Sequence, residues 1–512
     1  MNGLYEGAAK SLLFTDLYQL TMAQVYMRLG IGEARSQFDV FFRRYPDYGE
    51  HQAGYCVFAG LDDLLAWMAA ARLHPDDEAR LRTMRDGAGG PLFDDAFFRW
   101  LREQEGMPGL TLRSVAEGRV IHAGTPYVVA EAPIGLAQLI ETPVLNHLNY
   151  PTLIATRAAR LRHAARGGSL LDFGMRRGPA HAVDPGTRAA LIGGVDASSN
   201  TGISLRLGVP PRGTHAHSLV QAIIALGGSE LDAFRAYAEV YPDDCLLLLD
   251  TVDTLGSGLP NAITVFEELR AGGHEPQGVR LDSGDLAYLS IRVAAELDRA
   301  GFTDATIALS NQLDELTIWQ ILQQIEEEAP SYGIEPARLV ARMAYGVGTR
   351  LITSRGDSAL DGVYKLVAME RDGAWEPSSK QSDTPSKATT PGPQALHRVY
   401  DERGRATADL VTVADERPTP DAPLHLHHPT EEASRTLEPS DMTNIEALHE
   451  VAWADGARRV PKLEIAEARA RREADEERLD PGVRRLMNPH IYHVSLSSRL
   501  AQLKREFTAS DA

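Results

Sequence analysis

Cysteine is nearly absent from this chain. Cys56 and Cys245 are the only two, each inside an apolar run. A disulfide framework and a cysteine-built zinc site are therefore excluded, and both residues read as small buried side chains. Basic charge is short as well: Lys+Arg number 52 against 71 Asp+Glu, a formal net charge of −19. Non-specific binding to nucleic acid or to an anionic membrane needs a basic surface, so neither partner is expected. Any anionic ligand has to meet a local cluster of Arg and Lys. No apolar run reaches the roughly 18 residues that a bilayer-spanning helix needs, and Met1–Lys10 holds no long apolar stretch. A soluble, cytoplasmic protein is the expectation. No internal repeat is found.

What is there is an ordinary globular composition, 43% hydrophobic and 24% charged over 512 residues, enough for two or three domains. Residues 1–140 read as mixed α+β. Thr15 is placed to cap a helix carrying Leu17, Leu20, Met22, Val25 and Tyr26, with Tyr18 in its first turn. Gln37–Arg43 is rich in strand formers. Gly54–Leu65 reads as a strand running into a helix and Ser114–Val129 as two strands, with helical stretches near Pro75–Arg85 and Phe93–Glu103.

From residue 141 the rhythm changes. A long helical region ends near Arg166. Short apolar runs follow at Ser169–Phe173, Ala189–Ile192, Ile203–Leu207, Cys245–Leu249, Gly278–Leu281, Thr306–Ser310 and Arg342–Ala344, most separated by helical stretches. Buried strands alternating with helices predict a parallel sheet, and this many units within 141–355 predict an irregular α/β barrel. Residues 356–512 read as a small C-terminal domain. Strands are expected at Val363–Val367, Leu396–Tyr400 and Ala408–Val413, a loop at Lys380–Pro393, and a solvated, charged helix at Ile465–Leu479.

The candidate chemistry sits at the corners after these runs. Gly213-Thr214-His215-Ala216-His217-Ser218 stands between an alternating run and Leu219–Leu226, which reads as a buried helix. An imidazole at a strand-to-helix corner can take a proton, a metal or a phosphoryl group, although two histidines also suit a plain turn. Asp172-Phe173-Gly174-Met175-Arg176-Arg177 offers an aromatic ring and an arginine pair matched to phosphate or carboxylate oxygens. Two corners share strand-Asp-x-x-Asp, at Asp250/Asp253 and Asp282/Asp285, with Arg280 just before the second. Such carboxylates can hold Mg²⁺, fix sugar hydroxyls or stabilise a developing cation, and each is equally an acceptable helix cap. Ser310-Asn311-Gln312 and Gly346-Val347-Gly348-Thr349 close the series. The second lets backbone N–H groups approach a phosphate, and is also as common in simple tight turns.

In order along the chain, Thr15-Asp16-Leu17-Tyr18-Gln19-Leu20-Thr21-Met22, Phe38-Asp39-Val40-Phe41-Phe42-Arg43, Glu141-Thr142-Pro143-Val144-Leu145-Asn146, the corners above, Gly362-Val363-Tyr364-Lys365-Leu366-Val367 and Asn488-Pro489-His490 resemble the nicotinate phosphoribosyltransferase family over nearly its whole length. The resemblance implies a type II phosphoribosyltransferase-like barrel and a homodimer with shared active sites. It implies the joining of nicotinate to 5-phosphoribosyl 1-pyrophosphate, giving nicotinate mononucleotide and pyrophosphate in NAD salvage, coupled to ATP hydrolysis, with Mg²⁺ near Asp250 and Asp282. His217 resembles the histidine that ATP phosphorylates, and His215 is given no role. Asp250 is expected to orient His217 or meet substrate, and Arg280 and Asp282 to hold the phosphoribosyl pyrophosphate. Phe173 and Arg176 are expected at the pyridine ring and its carboxylate, Tyr18 stacked from the other subunit, Asn311, Gly346 and Gly348 at the ribose 5′-phosphate, and Thr349 among the substrate-binding residues. Val252 departs from the family's usual Tyr. Alternatives are a nicotinamide-using relative, a catalytically silent nucleotide-binding relative, and a metal-dependent hydrolase built on the acid pairs.

Overall fold

The computed structural model describes residues 9–49, 51–379 and 389–510. Much of the expected Lys380–Pro393 loop lies outside them. The chain forms two compact units, Met1–Leu153 with Ala359–Ala512, and Ile154–Ser358.

In the first unit, the strands Arg35–Phe42, Thr111–Val115 and Val128–Pro133 join Gly362–Arg371, Ala374–Pro377, His449–Ala454 and Ala457–Arg458 in one antiparallel sheet. Segments more than 300 residues apart therefore share hydrogen-bond ladders. A six-stranded sheet from residues 394–496 and a two-stranded pair, Cys56–Val57 with Val120–Ile121, belong to the same unit. The helix near the start runs over Leu17–Arg28, one residue later than a Thr15 cap requires. Asp16 is the capping residue, and the Thr15 hydroxyl donates to Leu139 O instead.

The charged segment Ile465–Arg478 is a helix, but not a solvated one. Arg472 and Asp475 are buried in it. Asp475 Oδ2 accepts from Arg119 Nε and Val120 N, each at 2.8 Å, and from Arg398 Nη1 at 3.2 Å. A run poor in apolar residues is thus held by buried, paired charge, which hydropathy does not reveal.

The second unit is built on a parallel sheet of six short strands: β1 Ser169–Asp172, β2 Ala197–Ser198, β3 Leu246–Leu248, β4 Gly278–Leu281, β5 Thr306–Leu309 and β6 Met343–Val347. Their order across the sheet is β2-β1-β6-β5-β4-β3. That is the succession of a ring opened at one seam, between β2 and β3. The chain crossing the seam is helical and carries both candidate histidines. The strands are almost continuously apolar because helices such as Leu259–Ala271 and Leu286–Arg299 follow them and bury them.

Two expected strands are helices. Ala189–Ile192 ends the helix Ala180–Ile192, whose Val183, Thr187, Ala190 and Leu191 recur at helical spacing and are buried. Ile203–Leu207 falls on the helix Thr201–Arg206, where Ser204 alone is buried and Leu205 is exposed. The alternation of Ile203, Leu205 and Leu207 mimics a strand, but none of the three sits in the core. The real strand, Ala197–Ser198, is two residues long and too short to carry a period.

Candidate active site

The ends of β1, β4, β5 and β6 surround a cavity of about 130 Å³. At the end of β1, Asp172 is an anchor. Its Oδ1 accepts from Gly174 N at 2.7 Å, and its Oδ2 accepts from Ser198 Oγ at 2.7 Å and Thr187 Oγ1 at 3.1 Å. Burial pushes its carboxyl up in spite of these bonds. The fixed corner lays the Phe173 ring against Gly346 of β6, where an added Cβ would stand 2.4 Å from the ring. Glycine is required there by close approach. Arg176 and Arg177 follow in a short 3₁₀ turn and are exposed.

Arg280 at the end of β4 is the hub. Its Nε donates to Ser310 Oγ at 2.8 Å, Nη1 to Thr214 Oγ1 at 3.3 Å and Nη2 to Asp282 Oδ1 at 3.0 Å. Its guanidinium carbon lies 5.5 Å from the Phe173 ring centroid. Three of its five N–H groups are committed, leaving two for a ligand. Asp282 also accepts from the Ser310 hydroxyl. Burial raises the Asp282 carboxyl, but the hydrogen bonds from Ser310 and Arg280 outweigh it and hold the group below the usual carboxylate range.

After β5, Asn311 and Gln312 have φ of 87° and 55°, a left-handed backbone that is uncommon outside glycine. Among the described residues, their amides and that of Leu313 donate to no acceptor within the chain. After β6, Gly348 precedes the short helix Thr349–Ile352, and Arg350 Nη1 donates to Asp314 Oδ2 at 2.5 Å. The lining thus holds Arg176, Arg177, Arg280 and Arg350 against Asp282 alone among carboxylates.

The histidine corner joins helix to helix, not strand to helix. Ala216 caps the helix His217–Ala225, so Ser218 lies inside the first turn, and Val220 is its one buried residue rather than part of a buried face. His217 Nδ1 is 3.1 Å from Thr251 Oγ1, and its Nε2 is 3.8 Å from Asp282 Oδ2. Asp250 does not orient this ring. Its Oδ2 accepts from Asp282 N at 3.3 Å and Ser283 Oγ at 2.5 Å, while its buried Oδ1 has no hydrogen-bond partner. The ring contact belongs to the next residue, Thr251. His215 is buried, and its Nε2 accepts from Leu248 N at 3.1 Å. That lone pair is spent on β3, and burial lowers the affinity of the ring for a second proton.

Of the residues expected from sequence, Phe173, Arg176, Arg280, Asp282, Asn311, Gly346, Gly348 and Thr349 line the cavity. His217 and Asp250 adjoin it through Asp282. Tyr18 lies in the first unit, half exposed, its hydroxyl 3.4 Å from Glu141 Oε2. Val252 is exposed and fills no aromatic position at its corner.

Three family models match this chain in sequence order: the nicotinate phosphoribosyltransferase N-terminal domain over residues 13–149, the nicotinate phosphoribosyltransferase family over 169–404 and the C-terminal domain over 393–504. A nicotinate phosphoribosyltransferase of Bacillus subtilis (strain 168) is 39% identical over 493 residues, which cover 95% of this chain and 92% of that protein. The chain belongs to the nicotinate phosphoribosyltransferase family. A human protein of the same name is 32% identical, with 99% and 98% of the two chains covered. The crystal structure of human nicotinic acid phosphoribosyltransferase superposes with a TM-score of 0.79 at 30% identity, covering 96% of this chain and 99% of that one. A nicotinate-nucleotide pyrophosphorylase of Pyrococcus furiosus shares the fold, with a TM-score of 0.65 at 20% identity, covering 93% and 99%.

For a member of this family, sequence reasoning missed Thr214, Thr251, Ser310, Gln312 and Arg350. Arg350 had a usable signal, standing two residues after Gly348. The hydroxyl residues had none, since Ser and Thr at corners are ordinary caps.

Proposed function

We propose that this protein is a nicotinate phosphoribosyltransferase of NAD salvage. It joins nicotinate to 5-phosphoribosyl 1-pyrophosphate to give nicotinate mononucleotide and pyrophosphate. The observation that carries the reading is the arginine-lined cavity under Phe173, with one carboxylate, Asp282, between it and His217. A donor carrying a 5′-phosphate and a pyrophosphate supplies the negative charge that such a lining needs. Phe173 offers a face to a flat ring, and Arg176 a fork to its carboxylate. The unpaired amides of Asn311, Gln312 and Leu313 suit the 5′-phosphate, beside Gly346, Gly348 and Thr349. Displacing pyrophosphate from the anomeric carbon builds positive character on the sugar, which a carboxylate held ionised, as Asp282 is, stabilises.

Mg²⁺ fits Asp250 and Asp282. The buried Asp250 Oδ1 has no partner, no set of three or more ligating side chains occurs among the described residues, and Mg²⁺ takes one or two carboxylates with substrate phosphates completing its shell. Bound there, it would neutralise charge on the pyrophosphate leaving group. ATP is read as a co-substrate whose γ-phosphoryl group passes to a His217 ring nitrogen: the bond from phosphorus to the ADP oxygen breaks and a nitrogen–phosphorus bond forms. Completion of the sheet as an irregular barrel, division at about residues 140 and 355, a cytoplasmic location and a homodimer sharing its sites belong to the same reading.

The deciding assay offers nicotinate or nicotinamide with 5-phosphoribosyl 1-pyrophosphate, each with and without ATP. Nicotinate mononucleotide and pyrophosphate should form from nicotinate, faster with ATP. Product from nicotinamide alone would move the protein to the nicotinamide-using relatives, and no product from either acceptor would overturn the reading.

A further inference from the structure

Ser310 closes β5 and is 3% exposed, yet it faces two charged side chains. Its backbone is pinned, the amide donating to Leu281 O at 2.9 Å. Its oxygen accepts from Arg280 Nε at 2.8 Å, and its one hydroxyl hydrogen is given to Asp282 Oδ1. The alternative acceptor, Leu281 O, stands off at 3.5 Å. Oδ1 also accepts from Arg280 Nη2, so this oxygen is doubly held. Oδ2 is then the one turned towards His217 Nε2.

We propose that Ser310 is a positioning residue for the transfer, its hydroxyl fixing the direction of the Asp282 carboxylate between Arg280 and His217. The inference rests on the proposed function. Without the hydroxyl, Asp282 keeps a single guanidinium contact and is free to turn about its terminal torsion, while Arg280 Nε loses its acceptor. Arg280 also reaches Thr214 in the loop before His217. One hydroxyl thus keeps three corners in register. A residue acting this way does most of its work through Asp282, so its loss costs far less once that carboxylate is gone, the remainder being the acceptor lost to Arg280 Nε.

The test is a double-mutant cycle with Ser310→Ala, Asp282→Asn and the pair combined, assayed with nicotinate and 5-phosphoribosyl 1-pyrophosphate. Ser310→Ala should lower kcat about 10- to 30-fold, the scale of one lost charge-assisted hydrogen bond. KM for nicotinate should stay within about threefold, and Ser310→Thr, which keeps the hydroxyl, should restore most of kcat. In the Asp282→Asn background, adding Ser310→Ala should cost less than about threefold more. Near wild-type turnover in Ser310→Ala, or an undiminished loss in the double variant, would overturn the proposal. Circular dichroism and melting check folding, and Ser310→Cys, close in size but a weak donor, replaces the alanine variant should that fail to fold. A wild-type protein inactive on nicotinate would overturn the function and this role with it, whereas an active wild type matched by Ser310→Ala would overturn the role alone, so the two failures are told apart.

Discussion

His215 and His217 are two residues apart in the chain and chemically far apart in the fold. Leu248 N–H occupies the His215 Nε2 lone pair, and the ring is enclosed beside Tyr237, 5.0 Å between centroids. A nitrogen already accepting from a strand amide is poor at attacking phosphorus. His217 is partly exposed and bordered by Thr251 and Asp282. With γ-labelled ATP, the wild-type protein and His215→Ala should take up label, and His217→Ala should take up none while staying folded. Label retained in His217→Ala, or lost only in His215→Ala, would reverse the assignment. The motif was legible in sequence, and the resemblance put His217 forward as the phosphorylated residue. What sets the two rings apart in the fold was not legible, because it depends on an amide of β3 more than 30 residues away. The same holds for Asp250 and Thr251: adjacent letters at a corner do not say which of them faces the ring.

At the scale of elements, the strand Arg35–Phe42 shows what a period conceals. Phe38 packs on Tyr364 with 4.6 Å between ring centroids, which is ordinary core. Gln37 and Asp39 alternate onto the opposite face, which is buried as well. Asp39 receives one long hydrogen bond, from Gln37 Nε2 at 3.4 Å, and its Oδ2 has no partner. Burial pushes its carboxyl up to about 7, against smaller opposing effects of Gln37 and Arg113. The folded state therefore binds this proton more tightly than the unfolded chain, whose carboxyl titrates near 3.9. The stability it contributes is complete below the unfolded value and is lost as pH rises through the folded one, between about 4 and 7. Asp39→Asn removes that loss. Its gain in melting midpoint over wild type should be larger at pH 8 than at pH 5, and an equal gain at both would mean that Asp39 is ionised in the fold. Strand identity here was readable from the run of strand formers, and the uninterrupted runs of β3, β4 and β5 were readable for the same reason. What stayed hidden were elements whose cause is tertiary: a two-residue strand held only by its neighbour, a helix disguised by alternation, and the buried ion network around Asp475.

At the scale of the whole molecule, the helix Leu17–Arg28 exposes Leu17, Tyr18 and Val25, with Leu29 just beyond it, each about half exposed or more. Apolar side chains gathered on one surface helix are what a protein interface would bury. The family resemblance implies a dimer in which Tyr18 serves the neighbouring subunit's site, stacked on the pyridine opposite Phe173. Stacking of this kind adds roughly 0.5–1.5 kcal/mol per ring pair beyond area burial. Under that arrangement Tyr18→Ala and His217→Ala damage different contributions to the same site. In ATP-coupled turnover His217→Ala alone should be nearly inactive, and Tyr18→Ala, which loses the area burial of the ring as well as its stacking, should fall well below wild type. Mixed in equal amounts and allowed to exchange, they form heterodimers as about half of all dimers, and each heterodimer holds one site with both defects and one with neither. Activity should then recover to about a quarter of wild type under symmetric pairing. Native mass spectrometry of differently tagged chains establishes the exchange independently of activity. Exchange without recovery would place Tyr18 in its own chain's site, or in none. Recovery without exchange would mean that one variant was not inactive to begin with, which the separate assays of each protein detect.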